Sequence, residues 1–341
     1  MTTIPPPPRT QPLLLPVSPG RRGLLAAALF GLAAPRGAHA QDRPLRLVVA
    51  SAAGANADVV ARLLAAAWEP SLGRRVLVEN QPAAAGSLAV EAVARAAPDG
   101  ETLLFGTVSQ LVMNPALFDS LPVDVERAIR GIAFVNRVPM ALCVPMAGEP
   151  DLPAFLGRMR MEHGPTQYGS GPAGTTTHVV GARFALAAEI ARGDLVHVPY
   201  QSSALALTDL MAGRLTFMFD AAVTALPHHR AGRLRILGIA AERRLPSAPD
   251  IPTLSEAGLP GFTGGTWNSI AAPSGLPDPI AASLNAQLTA LLARAGLRDR
   301  LEAMGSEPIG RAMSPADVDA FYAAERAVWI PAIRSAGIRA P

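Results

Sequence analysis

The sequence predicts an α/β protein of two lobes, with a parallel-rich sheet in each and a cleft between them. Three observations carry that expectation. Short apolar runs of strand length alternate with longer stretches of helical period, the pattern of parallel α/β units. The alternation pauses over Asn114 to Arg130 and then resumes, so two such units follow one another. The 341 residues also exceed what one core comfortably holds.

The elements follow in order. "LRLVVA" (Leu45–Ala50) reads as a buried strand, and "ADVVARLLAAAWEPSLG" as a helix ended by Gly73. "RVLVEN" is a second strand, "GSLAVEAVARAAPDG" a second helix and "TLLFGT" a third strand. After the pause, "GIAFVNRVPMALCVP" is long enough to cross between lobes. "TQYGSG" then enters the helix "THVVGARFALAAEIARG", and "LVHVPY" enters "SALALTDLMAG". "LTFMFD" leads to a short helix around Thr224 to Ala231, "LRILGIA" is another strand, and "TWNSIAAPSGLP" returns to the first lobe. Two helical segments, "DPIAASLNAQLTALLARAG" and "SPADVDAFYAAERAVWIPAIRSAG", close the chain. Lobe 1 is expected over residues 42–143 plus 266–341 and lobe 2 over 144–265, with hinges near Val138–Val144 and Thr266–Ala272.

Residues 1–40 read as an export signal. Arg21-Arg22 precede the apolar stretch Leu24–Ala34, then come Pro35 and the small-x-small triplet Ala38-His39-Ala40, which places cleavage after Ala40. The arginine pair favours a twin-arginine route, and the apolar run is shorter than the roughly 20 residues a membrane span needs. A periplasmic location is therefore expected. Four of the 30 basic residues (Arg9, Arg21, Arg22, Arg36) and no acid lie in that segment, which leaves 26 basic against 27 acidic residues, a formal charge of −1. That balance gives no reason to expect nucleic acid as a partner. The chain has no lysine, which removes Schiff-base chemistry, the phosphate-loop lysine and Ser-x-x-Lys nucleophiles. The single Cys143 sits in the apolar "MALCVP" and reads as core.

"YGSGPAGTTTH" (Tyr168–His178) carries Gly169-x-Gly171-x-x-Gly174, the spacing of a dinucleotide-binding loop. That reading requires an acid at the end of the next strand, and Asp194 precedes its strand instead. As a phosphate loop it has Thr175 where the lysine belongs. The shared physics remains. A glycine-rich turn opening a helix offers unpaired N–H groups at the positive end of the helix dipole, and so holds an anion. Ser170, Gly174, Thr175, Thr176 and Thr177 form that loop, and His178, one turn into the helix, is either a cleft-lining ligand contact or a capping or core residue. Similar small-residue turns occur at "SAAGANAD" (with Ser51, Ala52, Gly54, Asn56 and Asp58), "NQPAAAGS" (Ala84, Gly86) and "YQSSALA" (Ser202, Ala204). Thr107 and Ser109 close the third strand, and Asp220 ends "LTFMFD" either as a cleft carboxylate for a ligand hydroxyl or ammonium or as the cap of the next helix. All follow the carboxyl ends of strands, where α/β sheets place ligands. No Gly-x-Ser-x-Gly elbow is present, and the adjacent His228-His229 have no third ligand at metal spacing. No metal or cofactor is expected. His163 and His197 read as surface and strand residues, and Trp68, Trp267 and Trp329 as packing.

At these residues the chain resembles the Bug family, the periplasmic solute receptors of tripartite tricarboxylate transporters. "YGSGPAGTTTHVVGARF", "HVPYQSSALALTDLMAGRLTFMFD", "ERRLPSAPDIPTLSEAGLPGF", "APDGETLLFGT" and "AAERAVW" (Ala323–Trp329) are similar to that family's signature blocks, in order from about Arg43 onward. The resemblance implies a two-lobe periplasmic-binding-protein fold (type II-like), a small organic carboxylate in the cleft, and either delivery to membrane permease subunits or a role in sensing. A monomer is expected. The chain departs from the family where Ala50-Ser51 and Gly54-Ala55 replace Pro-Phe and a double glycine. It departs again where Ala57 precedes Asp58, where Ala83 and Ala85 stand for usual glycines, and where Ser202 follows "VPYQ". These changes bear on the ligand more than on the fold. The alternative is an enzyme on the same scaffold, a hydrolase or a nicotinamide oxidoreductase.

Overall fold

The computed structural model describes residues 43–161, 165–190, 195–309, 311–335 and 337–339. The export segment, His163 and Asp194 lie outside the described residues.

The first βα series runs β1 (Leu45–Val49), α1 (Asn56–Leu72), β2 (Val76–Asn80), a 3-10 turn (Ala84–Gly86), α2 (Ser87–Ala94) and β3 (Thr102–Thr107). A π-turn (Ser109–Met113) and two short helices, α3 (Asn114–Leu117) and α4 (Val125–Ala128), lead to β4 (Ile129–Pro145). The second series is α5 (Leu152–Met161), β5 (Thr166–Ser170), α6 (Thr176–Ala187), β6 (Leu195–Pro199), α7 (Ser203–Met211), β7 (Phe217–Ala221), α8 (Ala222–Arg230) and β8 (Leu234–Ile239). The chain returns through β9 (Gly265–Pro273) and ends with α9 (Asp278–Leu292), α10 (Ala295–Ala303), β10 (Glu307–Pro308) and α11 (Pro315–Ser335).

Strand order is β2-β1-β3-β9-β4-β7-β5-β6, with β8 and β10 also on β4. β1 pairs in parallel with β2 and β3, and β5 in parallel with β6 and β7. The carboxyl ends of each trio therefore share one edge. Between the trios, β4 and β9 run antiparallel to their neighbours. β4 pairs with β9 from Ile129 to Pro139, and from Met140 onward its partners are β7 and β8. One strand thus serves both lobes, and its partner switch lies at Pro139–Met140. Across from it the Met140 N–H donates to Gly264 O at 3.0 Å, and the Gly264 N–H to Ala240 O at 3.0 Å. β9 lies wholly with the first lobe's strands, so the return crossing is at Gly264–Gly265, just before the span expected from sequence.

Packing follows the apolar stripes. On α1, Val60, Ala61, Leu64 and Trp68 are buried, and Gly73 ends the helix at φ 66° with its N–H on Glu69 O. On α6, Phe184 is fully buried within 5.2–6.2 Å of the rings of Phe155, Phe217, Phe219 and Phe262. The adjacent Arg183 turns the other way, its guanidinium lying 5.6 Å from Phe262 and 5.4 Å from Trp329 of α11. Burial lowers the pKa of that guanidinium. Trp68 and Trp267 are buried core residues, and Cys143 is buried without a disulfide.

Three helical regions differ from the sequence expectation, one of them α5, ten residues between β4 and β5 for which the sequence reading has no helix. The pause at Asn114–Arg130 contains α3 and α4, each a single turn and too short to show a period. α10 was not anticipated: it buries only Leu297 and Leu301, and its other positions are mostly charged or small.

Phe184→Ala removes the ring that joins these four aromatic neighbours. It should lower stability by about 3–5 kcal/mol, seen as a lower denaturant midpoint with an unchanged slope.

Candidate functional site

The loops at the two carboxyl edges meet around one cavity of about 90 Å³. A single water needs roughly 10–15 Å³ on this measure, so the cavity admits a molecule of a few heavy atoms. Of the residues singled out from sequence, Ser51, Ala52, Asn56, Thr107, Ser109, Thr175, Thr176, Ser202 and Asp220 line it. Gly54, Asp58, Ala84, Gly86, Ser170, Gly174, His178 and Ala204 are not among its lining residues. Most of these stand behind the wall and hold its shape.

In the first loop the Asp58 carboxylate is a brace. It accepts the Gly54 N–H, the Arg62 Nε–H and the Asn80 Nδ2–H, each at 2.9 Å. Burial alone would raise its pKa, but these donors and the Arg62 charge hold it below the usual carboxylate value. Asn80 also donates to Ser51 O at 3.0 Å, so β2 fixes the loop after β1.

In the second loop Ala84, Ala85 and Gly86 all have positive φ, at 50°, 52° and 84°. At Gly86 a side chain would meet Ala50 O at 2.4 Å, so glycine is required there. The two alanines carry strain that glycine would avoid.

Gln110, which the sequence reading did not single out, ties the three loops of this lobe together. Its Oε1 accepts the Thr107 N–H at 3.1 Å and the Thr107 hydroxyl at 2.9 Å. Its Nε2 donates to Ala50 O at 3.2 Å and to Ala85 O at 3.0 Å. It sits in the π-turn, where no strand or helix period marks it.

The glycine-rich loop of the other lobe uses more of its N–H groups internally than its sequence suggests. The Gly171 N–H donates to Thr177 Oγ1 at 3.0 Å, the Gly174 N–H to His178 Nδ1 at 3.1 Å and the Thr175 N–H to Pro172 O at 3.1 Å. The Thr175 hydroxyl donates to Pro172 O at 2.7 Å. His178 stacks on His197 at 4.1 Å, and His197 Nε2 lies 2.7 Å from Ser170 Oγ. Burial lowers the His178 pKa to about 3, helped by His197, and the His197 pKa to about 4. Both rings are neutral near pH 7 and bring no charge to the cleft.

The lobes touch across the cavity. The Thr176 N–H, at the start of α6, donates to Ser109 Oγ at 3.0 Å, and the two hydroxyls are 3.0 Å apart. A Cβ built on Gly54 would lie 4.0 Å from the Ala204 Cβ. Ser202 caps α7 through the Leu205 N–H at 3.3 Å.

α1 begins at Asn56 without a side-chain cap, so its first-turn N–H groups have no side-chain acceptor. Beside them, Ser51 Oγ and Asn56 Oδ1 are buried without a hydrogen-bond partner, a costly state unless something fills the site. Asn56 Nδ2 starts a chain through Asn268 and Asn136 to Ser306, which holds the amide in place. Among the described lining residues Asp220 is the only ionisable one, and none is cationic. The lining offers polar contacts and backbone donors, and the hydroxyl–imidazole pair of Ser170 and His197 stands outside it, behind the glycine-rich loop.

Ala85→Gly relieves one left-handed alanine and should raise stability by about 0.5–1 kcal/mol. Thermal or chemical denaturation of the variant checks this.

Residues 60–338 match the family model described as tripartite tricarboxylate transporter family receptor. Protein BugT of Bordetella pertussis is 29% identical over 315 residues, covering 92% of this chain and 95% of its own. MatC from Rhodopseudomonas palustris, solved with bound malate, superposes with a TM-score of 0.79 at 31% identity, over 85% of this chain and 99% of its own. A second R. palustris protein, solved with adipate, gives 0.83 at 29% identity, over 88% and 99%. The chain belongs to the tripartite tricarboxylate transporter receptor family, the Bug group of periplasmic solute-binding proteins.

Proposed function

We propose that this chain is an exported receptor that captures a small organic carboxylate between its lobes and presents it to the permease subunits of a tripartite tricarboxylate-type transporter. The observation that carries this reading is the cavity itself. It joins the uncapped start of α1 to the start of α6, and two buried polar atoms, Ser51 Oγ and Asn56 Oδ1, stand beside it without partners. Relatives solved with malate and with adipate support the ligand class. Export with cleavage after Ala40 agrees with the family's periplasmic role. We read the chain as non-enzymatic, because Asp220 is the one ionisable group among the described lining residues and the Ser170–His197 pair lies outside the lining.

In this reading the ligand-contacting residues are those lining the cavity. Gly54, Asp58, Ala84, Gly86, Ser170, Gly174, His178 and Ala204 shape its wall. The partner switch of β4 supports a lobe boundary at Met140, and the return crossing one at Gly264–Gly265.

The test is a thermal-shift panel of dicarboxylates, tricarboxylates, aromatic acids and amino acids. A ligand at a hundredfold excess over its dissociation constant adds about 2.7 kcal/mol, which for a protein of this size raises Tm by roughly 5–10 °C. A response to NAD and to no carboxylate would contradict the reading.

Two variants locate the site. Ser109→Ala removes the hydroxyl that spans the cleft and should weaken binding of a panel hit by about 0.5–1.5 kcal/mol. Gly174→Val should cost more, because φ at Gly174 is 90°, a conformation a β-branched residue resists. A folded Gly174→Val protein that bound as tightly as wild type would place the site elsewhere.

A further inference from the structure

Asp220 is the single charge-bearing group among the described residues that line the cavity, and its surroundings are unusual for a receptor of anions. The residue is 2% exposed. Its carboxyl accepts the Thr224 hydroxyl at 2.5 Å, and the Ser203 hydroxyl and Ala221 N–H also donate to it. All three donors are neutral. An anion entering a cavity of about 90 Å³ must share it with this carboxyl.

Among the described residues, the elements packed against β7 bring no cation to Asp220: Arg183 of α6 lies on Phe262 and Trp329, and Arg230 of α8 donates to Ser247 O. β4 contributes the Cys143 thiol, whose pKa is pushed up by burial and by Asp220. β5, paired with β7 at Tyr168 and Gly169, contributes the Tyr168 phenol, pushed up by burial. α7 contributes Ser203, while its Asp209 is turned to Tyr200 and Arg214. α8 contributes Thr224, with His228, His229 and Arg230 in its last turn. Across the cleft, Asp58 is paired with Arg62. His178 and His197, behind the glycine-rich loop, are held neutral by burial.

Two carboxylates sharing a weakly screened site do not both stay ionised: one takes a proton. The ligand's carboxylate has backbone donors at the helix starts to favour its charge. Asp220 has one backbone N–H, from Ala221, and two hydroxyls, and its burial outweighs them in favour of the neutral form, so it is the group that protonates. We propose that capture of a carboxylate in this cleft takes up one proton from solvent onto Asp220, which then meets the ligand as an uncharged O–H donor. This rests on the receptor reading above and adds a partner to it, since the proton travels with the anion. It also sets the ligand class: acids without an ammonium group, for which an ionised Asp220 would be the better neighbour.

Burial already raises the Asp220 pKa to about 6 in the free protein, against the donors that favour its charge. The sign follows. Below about pH 6 the free protein carries the proton and affinity is flat. Above it each ligand must bring a proton, so affinity falls by up to about tenfold per pH unit until the raised pKa of the complex is passed.

The experiment is titration calorimetry at about pH 7.5 with malate, adipate and any other acid that shifts Tm, in phosphate and in Tris, whose ionisation heats differ. At that pH these acids are fully ionised, so protons taken up belong to the protein. The expected result is a buffer-dependent heat equal to nearly one proton per ligand, with a Kd that tightens as pH falls towards 6. Asp220→Asn, checked for folding by circular dichroism, should bind with no proton uptake and a Kd that no longer changes with pH. Tight binding with a buffer-independent heat would overturn the inference and leave the receptor reading intact. Preference for an ammonium-bearing acid, lost in Asp220→Asn, would overturn it too, by making ionised Asp220 the ligand's counter-charge. Failure of every carboxylate at every pH would overturn both.

Discussion

The cleft depends on one strand changing partners. β4 pairs with β9 through Pro139 and with β7 and β8 from Met140, so a continuous backbone carries both sheets. Because the flanking trios are parallel, their carboxyl ends gather at single edges, and the shared strand brings those edges to one cavity. Small residues then line the meeting place, since backbone must come close to whatever is bound. The two crossings lie at Pro139–Met140 and at Gly264–Gly265, where a Cβ built on Gly265 would meet Val138 O at 3.1 Å.

The second constraint is that the walls are held from behind. Asp58 and Asn268 use their hydrogen bonds to fix loops rather than to reach the cavity, and Gln110, itself in the lining, spends its own on the same loops. α11 extends this bracing to the far side of the molecule. Its Glu325 accepts the indole N–H of both Trp267 and Trp329, and its Arg326 donates to Leu111 O behind Ser109. Trp329 in turn covers Arg183 of α6, whose first turn lines the cleft. The short "AAERAVW" block therefore links the π-turn, the return strand and the helix of the glycine-rich loop. That gives the resemblance at this block a physical content.

Most of the fold was legible because its period is strong. Val60, Ala61, Leu64 and Trp68 mark α1, Gly73 ends it, and the alternation of runs gives β1 to β3 and β5 to β8. α10 and the short helices before β4 were not legible, for want of a sustained apolar stripe. The cavity was legible in part. Turns after strands pointed to Ser51, Asn56, Ser109, Thr175 and Asp220, which line it. The sequence overstated the free N–H groups of "YGSGPAGTTTH", because nothing local reveals that Thr177, His178 and Pro172 would accept them. It was silent on Gln110, whose role arises only when loops distant in sequence converge, and on Ala84 adopting a glycine-like backbone, whereas the resemblance already sets Ala85 in the place of a usual glycine.

The central claim is that one ligand is held by both lobes at once. Residue-resolved hydrogen exchange, with and without a carboxylate that raises Tm, tests it most directly. The account predicts slowed exchange together at Asn56–Ala57 and Gly86–Ser87 in one lobe and at Thr176–Thr177 and Ser203–Ala204 in the other. Protection confined to one lobe, or centred away from these turns, would contradict it.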